Sequence, residues 1–177
     1  MLKCMELQEF IACVGEDEAK KALSSFSVKR NPDVENFIRK NAVAYEKSNN
    51  ARTYLVMSED IDILGYFSLS LSVVDIPSEI SKAMMKKMRG FGRYSADSVP
   101  CYLLGQLARE DNVSHEDLMM RDFIDFAIEY VMVAKQSVGG RFLLIDCIDD
   151  LVDLYERHDF IRINKTGELN QLVMFLE

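Results

Sequence analysis

Apolar residues at helical spacing mark the first well-defined element of the chain. They follow Asn31-Pro32 and predict a helix over 31–47, because asparagine favours the cap position and proline suits the first helical turn. The residues before this helix are less regular. Segment 5–14 fits either a strand or a short amphipathic helix, and segment 17–25 fits a helix.

A hairpin is predicted next. Strands over 53–57 and 61–74 flank the polar turn Ser58-Glu59-Asp60. Large and small side chains alternate along the second strand, and Gly65 lies inside it. A glycine in a strand interior is typical of a bulge or of a close approach by another part of the protein, so both alternatives are open at Gly65.

The second half of the chain alternates apolar strands with helices. The predicted elements are a strand, a long helix, a strand, a short helix and a closing hairpin, over 101–108, 114–136, 141–147, 149–158, 160–164 and 169–176. The strand–helix–strand order predicts that 101–108 and 141–147 are parallel neighbours. The fold class that follows is α/β (mixed α+β), in one domain over 1–177 without repeats or linkers.

Composition and charge narrow the classes of function. Of the 177 residues, 49% are hydrophobic, and the net charge is −8. An acidic surface repels phosphates, so nucleic acid, including a tRNA acceptor, is disfavoured as a partner. No apolar run approaches the ~20 residues of a membrane span, and the N-terminus does not resemble a signal peptide. Four cysteines without CxxC spacing and two distant histidines predict a cytoplasmic protein with reduced thiols and no metal site.

The one basic concentration lies in and after a predicted helix over 77–88, which Ser78 or Ser81 would cap. A loop over 89–99 follows the helix. The cations are interleaved with methionines and are Lys82, Lys86, Lys87, Arg89 and Arg93. The favoured interpretation is a solvated lysine face over a methionine core face. The alternative is a protein partner or a phosphate contact at 82–93.

Four segments together resemble one superfamily. They are ILGYFSLSL (63–71), VPCYLLGQLAR (99–109), GGRFLLIDC (139–147) and DLYERHDF (153–160). In this order they resemble the GNAT superfamily of acetyl-CoA-dependent N-acetyltransferases over about residues 30–177. The most similar subgroup includes tRNA-acetylating toxins and uncharacterised bacterial relatives. The resemblance implies a mixed, mostly antiparallel sheet with a splayed parallel pair and helices on both faces, and such domains often form homodimers.

The resemblance also implies where acetyl-CoA and the chemistry would lie. The pantetheine arm would follow the strand over 101–108, and backbone amides at a helix N-terminus would bind the diphosphate. The implied cofactor contacts are Leu107, Ala108, Arg109, Ser114, His115, Glu116, Asp117, Leu118 and Met119. Tyr155 holds the place of the family's general acid, which protonates the leaving thiolate. Glu110, at the end of the strand, is a candidate general base, and a polar strand end is the alternative.

The turn after this strand departs from the family pattern. Relatives have glycines that let the backbone approach the diphosphate, whereas segment 112–120 has none. Ser114 and Asp117 fit a capping box that would occupy the helix end, and Glu116 adds a second negative charge. Weakened acetyl-CoA binding is therefore expected. Asp159 stands where relatives have glycine, a milder change because aspartate tolerates the left-handed conformation.

Two functions of different classes follow from these observations. The first is an N-acetyltransferase that moves the acetyl group of acetyl-CoA to a primary amine. The second is a catalytically weak or inactive GNAT-like domain that serves as a protein-binding module. The 112–120 turn discriminates between them, because only the enzyme needs to bind the cofactor.

Overall fold

Seven strands form one mixed sheet in the computed structural model, which describes residues 2–177. The strands are β1 Lys3–Glu6, β2 Arg52–Met57, β3 Ile63–Asp75, β4 Ser98–Arg109, β5 Phe142–Cys147, β6 Ile161–Thr166 and β7 Leu169–Phe175. Their order across the sheet is β1-β2-β3-β4-β5-β7-β6. The pairs β1–β2, β2–β3, β5–β7 and β6–β7 are antiparallel, and β4–β5 is parallel. The predicted fold class and the predicted parallel pair are confirmed.

Seven α-helices accompany the sheet in residues 2–177. They are α1 Leu7–Val14, α2 Glu16–Ser24, α3 Pro32–Asn36, α4 Ala42–Lys47, α5 Lys82–Arg89, α6 Met120–Val138 and α7 Val152–Glu156. A π-helical turn, Phe37–Asn41, joins α3 to α4, and a 3-10 turn, Asp149–Leu151, precedes α7. No helix in this part of the chain is long and apolar enough to cross a membrane.

The helix predicted over 31–47 is confirmed as the run from α3 to α4, and the Asn31 side chain accepts a hydrogen bond from the Val34 N–H at 3.3 Å. The two interpretations of segment 5–14 both apply, because strand β1 passes directly into helix α1.

The described residues form two compact units. The first comprises the residues up to Ser70 together with Leu104–Glu129, and the second comprises Leu71–Leu103 and Tyr130–Glu177. The single domain over 1–177 stays a prediction.

Tyr66 lies at the centre of the first unit. Its side chain is fully buried, its ring is stacked 6.1 Å from Phe37, and the edge of Phe26 meets it at 5.5 Å. The Tyr66 hydroxyl donates to the Val34 carbonyl oxygen at 2.6 Å, so the one polar atom of this ring is satisfied. Helices α1 to α4 supply most of the surrounding apolar side chains.

Gly65 faces the opposite side of the sheet, because successive strand residues point to opposite faces. A Cβ atom at Gly65 would lie 2.5 Å from the Phe123 ring, 2.7 Å from the Leu118 side chain and 2.9 Å from the Ala108 carbonyl oxygen. The pairing with β2 also shifts here, since Val56 faces Gly65 and Met57 faces Ile63. Both alternatives for Gly65, a bulge and a close approach, are therefore confirmed. Helices cover both faces of the sheet in this unit.

The core of the second unit includes one methionine of α5. Met88 is fully buried in a cluster that includes Val99 and Phe142. The helix begins at Lys82 rather than at residue 77, so the predicted start was wrong. Ser81 caps it, accepting from the Met84 N–H at 3.1 Å. Ile80 packs against the apolar cluster just before this cap, which accounts for the late start.

Candidate functional site

Strand β4 carries the residues that the resemblance assigns to the pantetheine arm. It pairs with β5 at Tyr102↔Leu143 and Leu103↔Leu144, and both strands continue beyond these pairs. In the first unit, the Gln106 N–H donates to the Ser68 hydroxyl at 2.9 Å. Three residues end the strand: Leu107 and Arg109 are half-buried and Ala108 is buried.

The segment after β4 is a closed turn rather than the start of a helix. The N–H groups of Glu116 and Asp117 donate to the Ser114 hydroxyl oxygen at 3.2 and 3.1 Å, and that hydroxyl donates to the Asp117 carboxylate at 2.7 Å. The predicted bond of Ser114 to a nearby backbone amide is therefore present, and Asp117 reaches back to the Ser114 hydroxyl, but the predicted helix start at Ser114 was wrong. Helix α6 begins at Met120, because the Asp122 carboxylate accepts the Met119 N–H at 2.7 Å and caps the helix there.

Most amide groups of this turn already have protein acceptors. The Asn112 N–H donates to the Glu110 carboxylate at 2.6 Å, and the Val113 N–H donates to the Glu110 carbonyl oxygen at 3.1 Å. The Leu118 N–H donates to the Ser114 carbonyl oxygen at 3.3 Å. A diphosphate that used these amides would have to replace bonds the protein makes to itself. Binding there therefore costs the opening of the turn.

Arg109 places the positive charge closest to this turn. Its guanidinium donates to the Leu118 carbonyl oxygen at 3.0 Å, and its two terminal nitrogens lie 2.7 and 2.8 Å from the ring nitrogens of His115. Burial, and next the charge of Arg30, lower the pKa of Arg109 from its ordinary value. The resemblance assigned only the backbone of Arg109 to the cofactor, whereas its side chain is the cation available to a phosphate.

The end of β4 and the turn after it also carry four acidic side chains. Glu116, Asp117 and Asp111 are exposed, and Glu110 is half-buried. The Lys29 N–H and then the Ser27 hydroxyl hold the pKa of Asp111 below its ordinary value, so this carboxylate is charged at neutral pH. The acidic side chains of this turn are therefore exposed, and their place beside a diphosphate stays a prediction.

Glu110 is tied to its own turn. Besides the Asn112 N–H, its carboxylate accepts the Asn112 side-chain amide at 3.2 Å. It also borders a groove of about 540 Å³ whose apolar lining includes Phe10, Phe26 and Leu64. These contacts fit the polar strand end that was the alternative for Glu110. Its role as a general base stays a prediction.

Tyr155 lies on α7 in the second unit. Its side chain is 4% exposed, and its ring meets the edge of Phe160 at 5.7 Å. In the part of the chain that the structure describes, its hydroxyl has no hydrogen-bond partner. Burial, and next the charge of Cys147, raise the pKa of Tyr155, so the phenol keeps its proton at neutral pH. A protonated hydroxyl without an internal acceptor is able to donate to a ligand.

Asp159 ends this helical segment in the left-handed conformation, with φ at 67°. This is the conformation expected of a position where relatives have glycine. The expectation that aspartate can replace the glycine is confirmed.

The basic segment 82–93 belongs to the second unit. Lys82, Lys86 and Arg93 are exposed, while Met88 is buried, as the interpretation of a lysine face over a methionine core predicted. The loop after α5 adds two aromatic rings, Phe91 at 97% and Tyr94 at 64% exposure. Exposed aromatic side chains among cations favour contact with a partner, so the alternative interpretation keeps support.

The features described so far define a class of fold. The mixed sheet, its parallel pair and the accompanying helices form a GNAT-like fold. No protein-family model matches the chain.

Solved structures of bacterial toxins have this fold. The chain is similar to AtaT complexed with acetyl-methionyl-tRNAfMet, at 20% identity and a TM-score of 0.74, covering 99% of this chain and 95% of AtaT. It is similar to a tyrosine-to-phenylalanine mutant of KacT at 19% identity and a TM-score of 0.76, with 99% and 95% covered. AtaTR bound with AcCoA matches at 20% identity and a TM-score of 0.70, with 99% and 94% covered.

The complexes formed by these proteins bear on the expected partners. AtaT was solved with a tRNA, and KacTA was solved with DNA. They run against the expectation, drawn from a net charge of −8, that nucleic acid is disfavoured for this chain. Net charge sums over the whole surface, whereas phosphate binding depends on a local cluster of cations such as segment 82–93.

Proposed function

We propose that the chain is an N-acetyltransferase that moves an acetyl group from acetyl-CoA to a primary amine. The fold supports this proposal, because proteins of the same fold have been solved with acetyl-CoA. The observation that carries it is Tyr155, a protonated phenol with a buried ring and a hydroxyl that has no internal partner.

The reaction requires the protein to position acetyl-CoA and the acceptor amine and to supply one proton. Acetyl-CoA supplies the acetyl group as a thioester. The acceptor nitrogen forms a bond to the acetyl carbon, and the carbon–sulfur bond breaks with its electron pair going to sulfur. Tyr155 gives its hydroxyl proton to that sulfur, and Glu110 or water takes the proton that the nitrogen loses. The backbone at Leu107 and Ala108 holds the pantetheine amides.

The diphosphate end of acetyl-CoA fits the chain less well than the acetyl end. The amides of Glu116 and Asp117 bond to Ser114, and their carboxylates repel phosphate. Arg109 is the compensating cation. This contrast supports an enzyme whose cofactor affinity is reduced at one defined place.

The acceptor is proposed only as a primary amine. The α-amine of an aminoacyl-tRNA is the first acceptor to test, because AtaT was solved with acetyl-methionyl-tRNAfMet. The test incubates the protein with acetyl-CoA and either bulk aminoacyl-tRNA or a small amine such as lysine methyl ester. Acetylated product identified by mass spectrometry names the class of acceptor.

A protein-binding module is the second candidate function. The exposed Phe91 and Tyr94 rings favour it, as does a turn most of whose amides are satisfied without cofactor. In this case the surface at 82–93 would hold the partner, and acetyl transfer would be absent.

Acetyl-CoA at 100 times its dissociation constant should raise the melting temperature, because a ligand that binds only the folded state adds about 2.7 kcal/mol. For a chain of this size that is a shift of roughly 5–11 °C. Differential scanning fluorimetry measures it, with acetyl-pantetheine, which lacks the diphosphate, as the matched ligand. No shift with acetyl-CoA up to millimolar concentration would favour the binding module.

The double substitution Glu116→Gly/Asp117→Gly should tighten acetyl-CoA binding by up to roughly 30-fold. Each like charge about 4 Å from phosphate costs about 1 kcal/mol in water, and glycine also frees the backbone. Isothermal titration calorimetry compares this variant with Glu116→Gln/Asp117→Asn, which removes charge alone. The double change Asp17→Asn/Glu18→Gln on α2 controls for net charge. Tight binding by the unmodified protein with no gain in the variants would contradict the electrostatic argument.

A further inference from the structure

Asn170 is a fully buried polar residue in the second unit. It lies in β7, opposite Cys147 of β5 on one side and Lys165 of β6 on the other. Its side-chain amide donates to the Cys147 carbonyl oxygen at 3.3 Å and to the Asp149 carboxylate at 2.8 Å. The side chain therefore bonds to both ends of the link between β5 and the 3-10 turn before α7.

The orientation of the Asn170 amide is fixed by these two acceptors. Its NH₂ group faces both of them, so its oxygen points elsewhere, and that oxygen has no partner among residues 2–177. An unpaired buried oxygen opposes folding. What the amide provides against this cost is its pair of bonds to the Cys147 carbonyl oxygen and the Asp149 carboxylate.

Asp149 extends the connection to the surface. The Lys165 ammonium contacts both of its carboxylate oxygens, at 2.8 and 2.7 Å. The Asn170 amide, and next Lys165, hold the pKa of Asp149 below its ordinary value, which keeps the carboxylate charged as the acceptor of both bonds. One network therefore joins the end of β5, the start of the turn before α7, and the β6–β7 hairpin.

Tyr155 lies in α7, the helix that begins directly after the turn held by this network. Helix α7 packs against β6 and β7, the two strands of the hairpin that the network joins. We infer that Asn170 is a positioning residue that fixes the start of α7 and thereby the place of the Tyr155 hydroxyl. A proton donor has to be held within about 0.5 Å of its productive place. The inference rests on the proposed function, in which Tyr155 is the acid.

Asn170→Ala should lower single-turnover acetyl transfer by about 10–50-fold and change the dissociation constant of acetyl-CoA by less than about twofold. In a Tyr155→Phe background the same substitution should lower the rate by less than about twofold, because no proton donor is left to misplace. Equal losses in both backgrounds, or no loss in the first, would overturn the inference.

A swap of the two bonded groups provides the rescue. Asn170→Asp alone puts two carboxylates against each other and should be as slow as Asn170→Ala. Adding Asp149→Asn restores the bond between positions 149 and 170 with its direction reversed, although not the bond to the Cys147 carbonyl oxygen, and should recover part of the lost rate. Asn164→Ala, in the same hairpin, removes a 3.4 Å bond to Gln171 and a 2.8 Å bond from the Lys165 N–H, leaves both Asn170 bonds in place, and is the matched control. A swap variant as slow as the single variants would contradict the positioning role.

Hydrogen–deuterium exchange tests the network without activity. Asn170→Ala should speed amide exchange in the peptide that carries α7, and Asn164→Ala should not. If Asn170→Ala fails to fold, Lys165→Met removes the exposed partner of Asp149 and should speed the same peptide to a smaller extent. Unchanged exchange in these variants would overturn the inference. Faster exchange in a protein that never transfers acetyl would instead reject the proposed function.

Discussion

Replacing Tyr155 by phenylalanine should lower single-turnover acetyl transfer by about 10²–10³ and leave acetyl-CoA affinity nearly unchanged. A positioned general acid contributes about 10²–10⁴ to a rate, so a loss in this range is about 2.7–4 kcal/mol of barrier. Phenylalanine keeps the ring and its contact with Phe160, and it removes only the proton. The hydroxyl has no partner among residues 2–177, so its removal leaves no buried group unpaired.

The measurement is single-turnover transfer to a small amine, with calorimetric binding and thermal melting in parallel. Tyr94→Phe makes the same chemical change on an exposed ring and should leave the rate unchanged. A parallel fall of rate and binding in Tyr155→Phe would show that the ring is structural. An unchanged rate would mean that water supplies the proton and that Tyr155 is a core aromatic.

Segments that depend on local chemistry could be predicted from the sequence. Asn31 caps its helix as expected, and Asp159 adopts the left-handed conformation expected at a glycine position. The apolar runs of β4 and β5 and the helix between them predict a parallel pair, because a crossover of that kind has few other solutions. The order of residues around Tyr155 is what makes it the candidate general acid.

The start of α6 shows why other features could not be predicted. The Ser114 hydroxyl accepts the Asp117 N–H, as a helix cap does, and donates to the Asp117 carboxylate, but these bonds close a turn equally well. The choice depends on Leu118, which is fully buried against Gly65, a contact between residues distant in sequence. The bonds of Asn170 could not be predicted for a similar reason, since one asparagine in an apolar strand has no local pattern that identifies its partners.

Gly65→Ala should lower the free energy of unfolding by about 1–3 kcal/mol, because overpacking a close-packed interior forces neighbours out of place. The added methyl group would lie 2.5 Å from Phe123 and 2.7 Å from Leu118, and 2.9 Å from the Ala108 carbonyl oxygen. Both side chains are nearly fully buried, and the carbonyl belongs to the backbone of β4, so none of the three has free space to move into.

The same substitution should also change acetyl-CoA binding, because Leu118 closes the turn after β4 and Ala108 is one of the proposed pantetheine contacts. Urea unfolding and calorimetric titration measure the two effects, and Gly105→Ala is the matched control in β4. Its Cβ would meet only the Ser68 hydroxyl, at 3.1 Å, so its stability should stay within about 1 kcal/mol of the unmodified protein. A Gly65→Ala protein that is as stable as the unmodified protein would contradict the close approach at Gly65. A loss of stability with unchanged acetyl-CoA affinity would show that Gly65 supports the packing of the sheet and not the turn that is proposed to bind the cofactor.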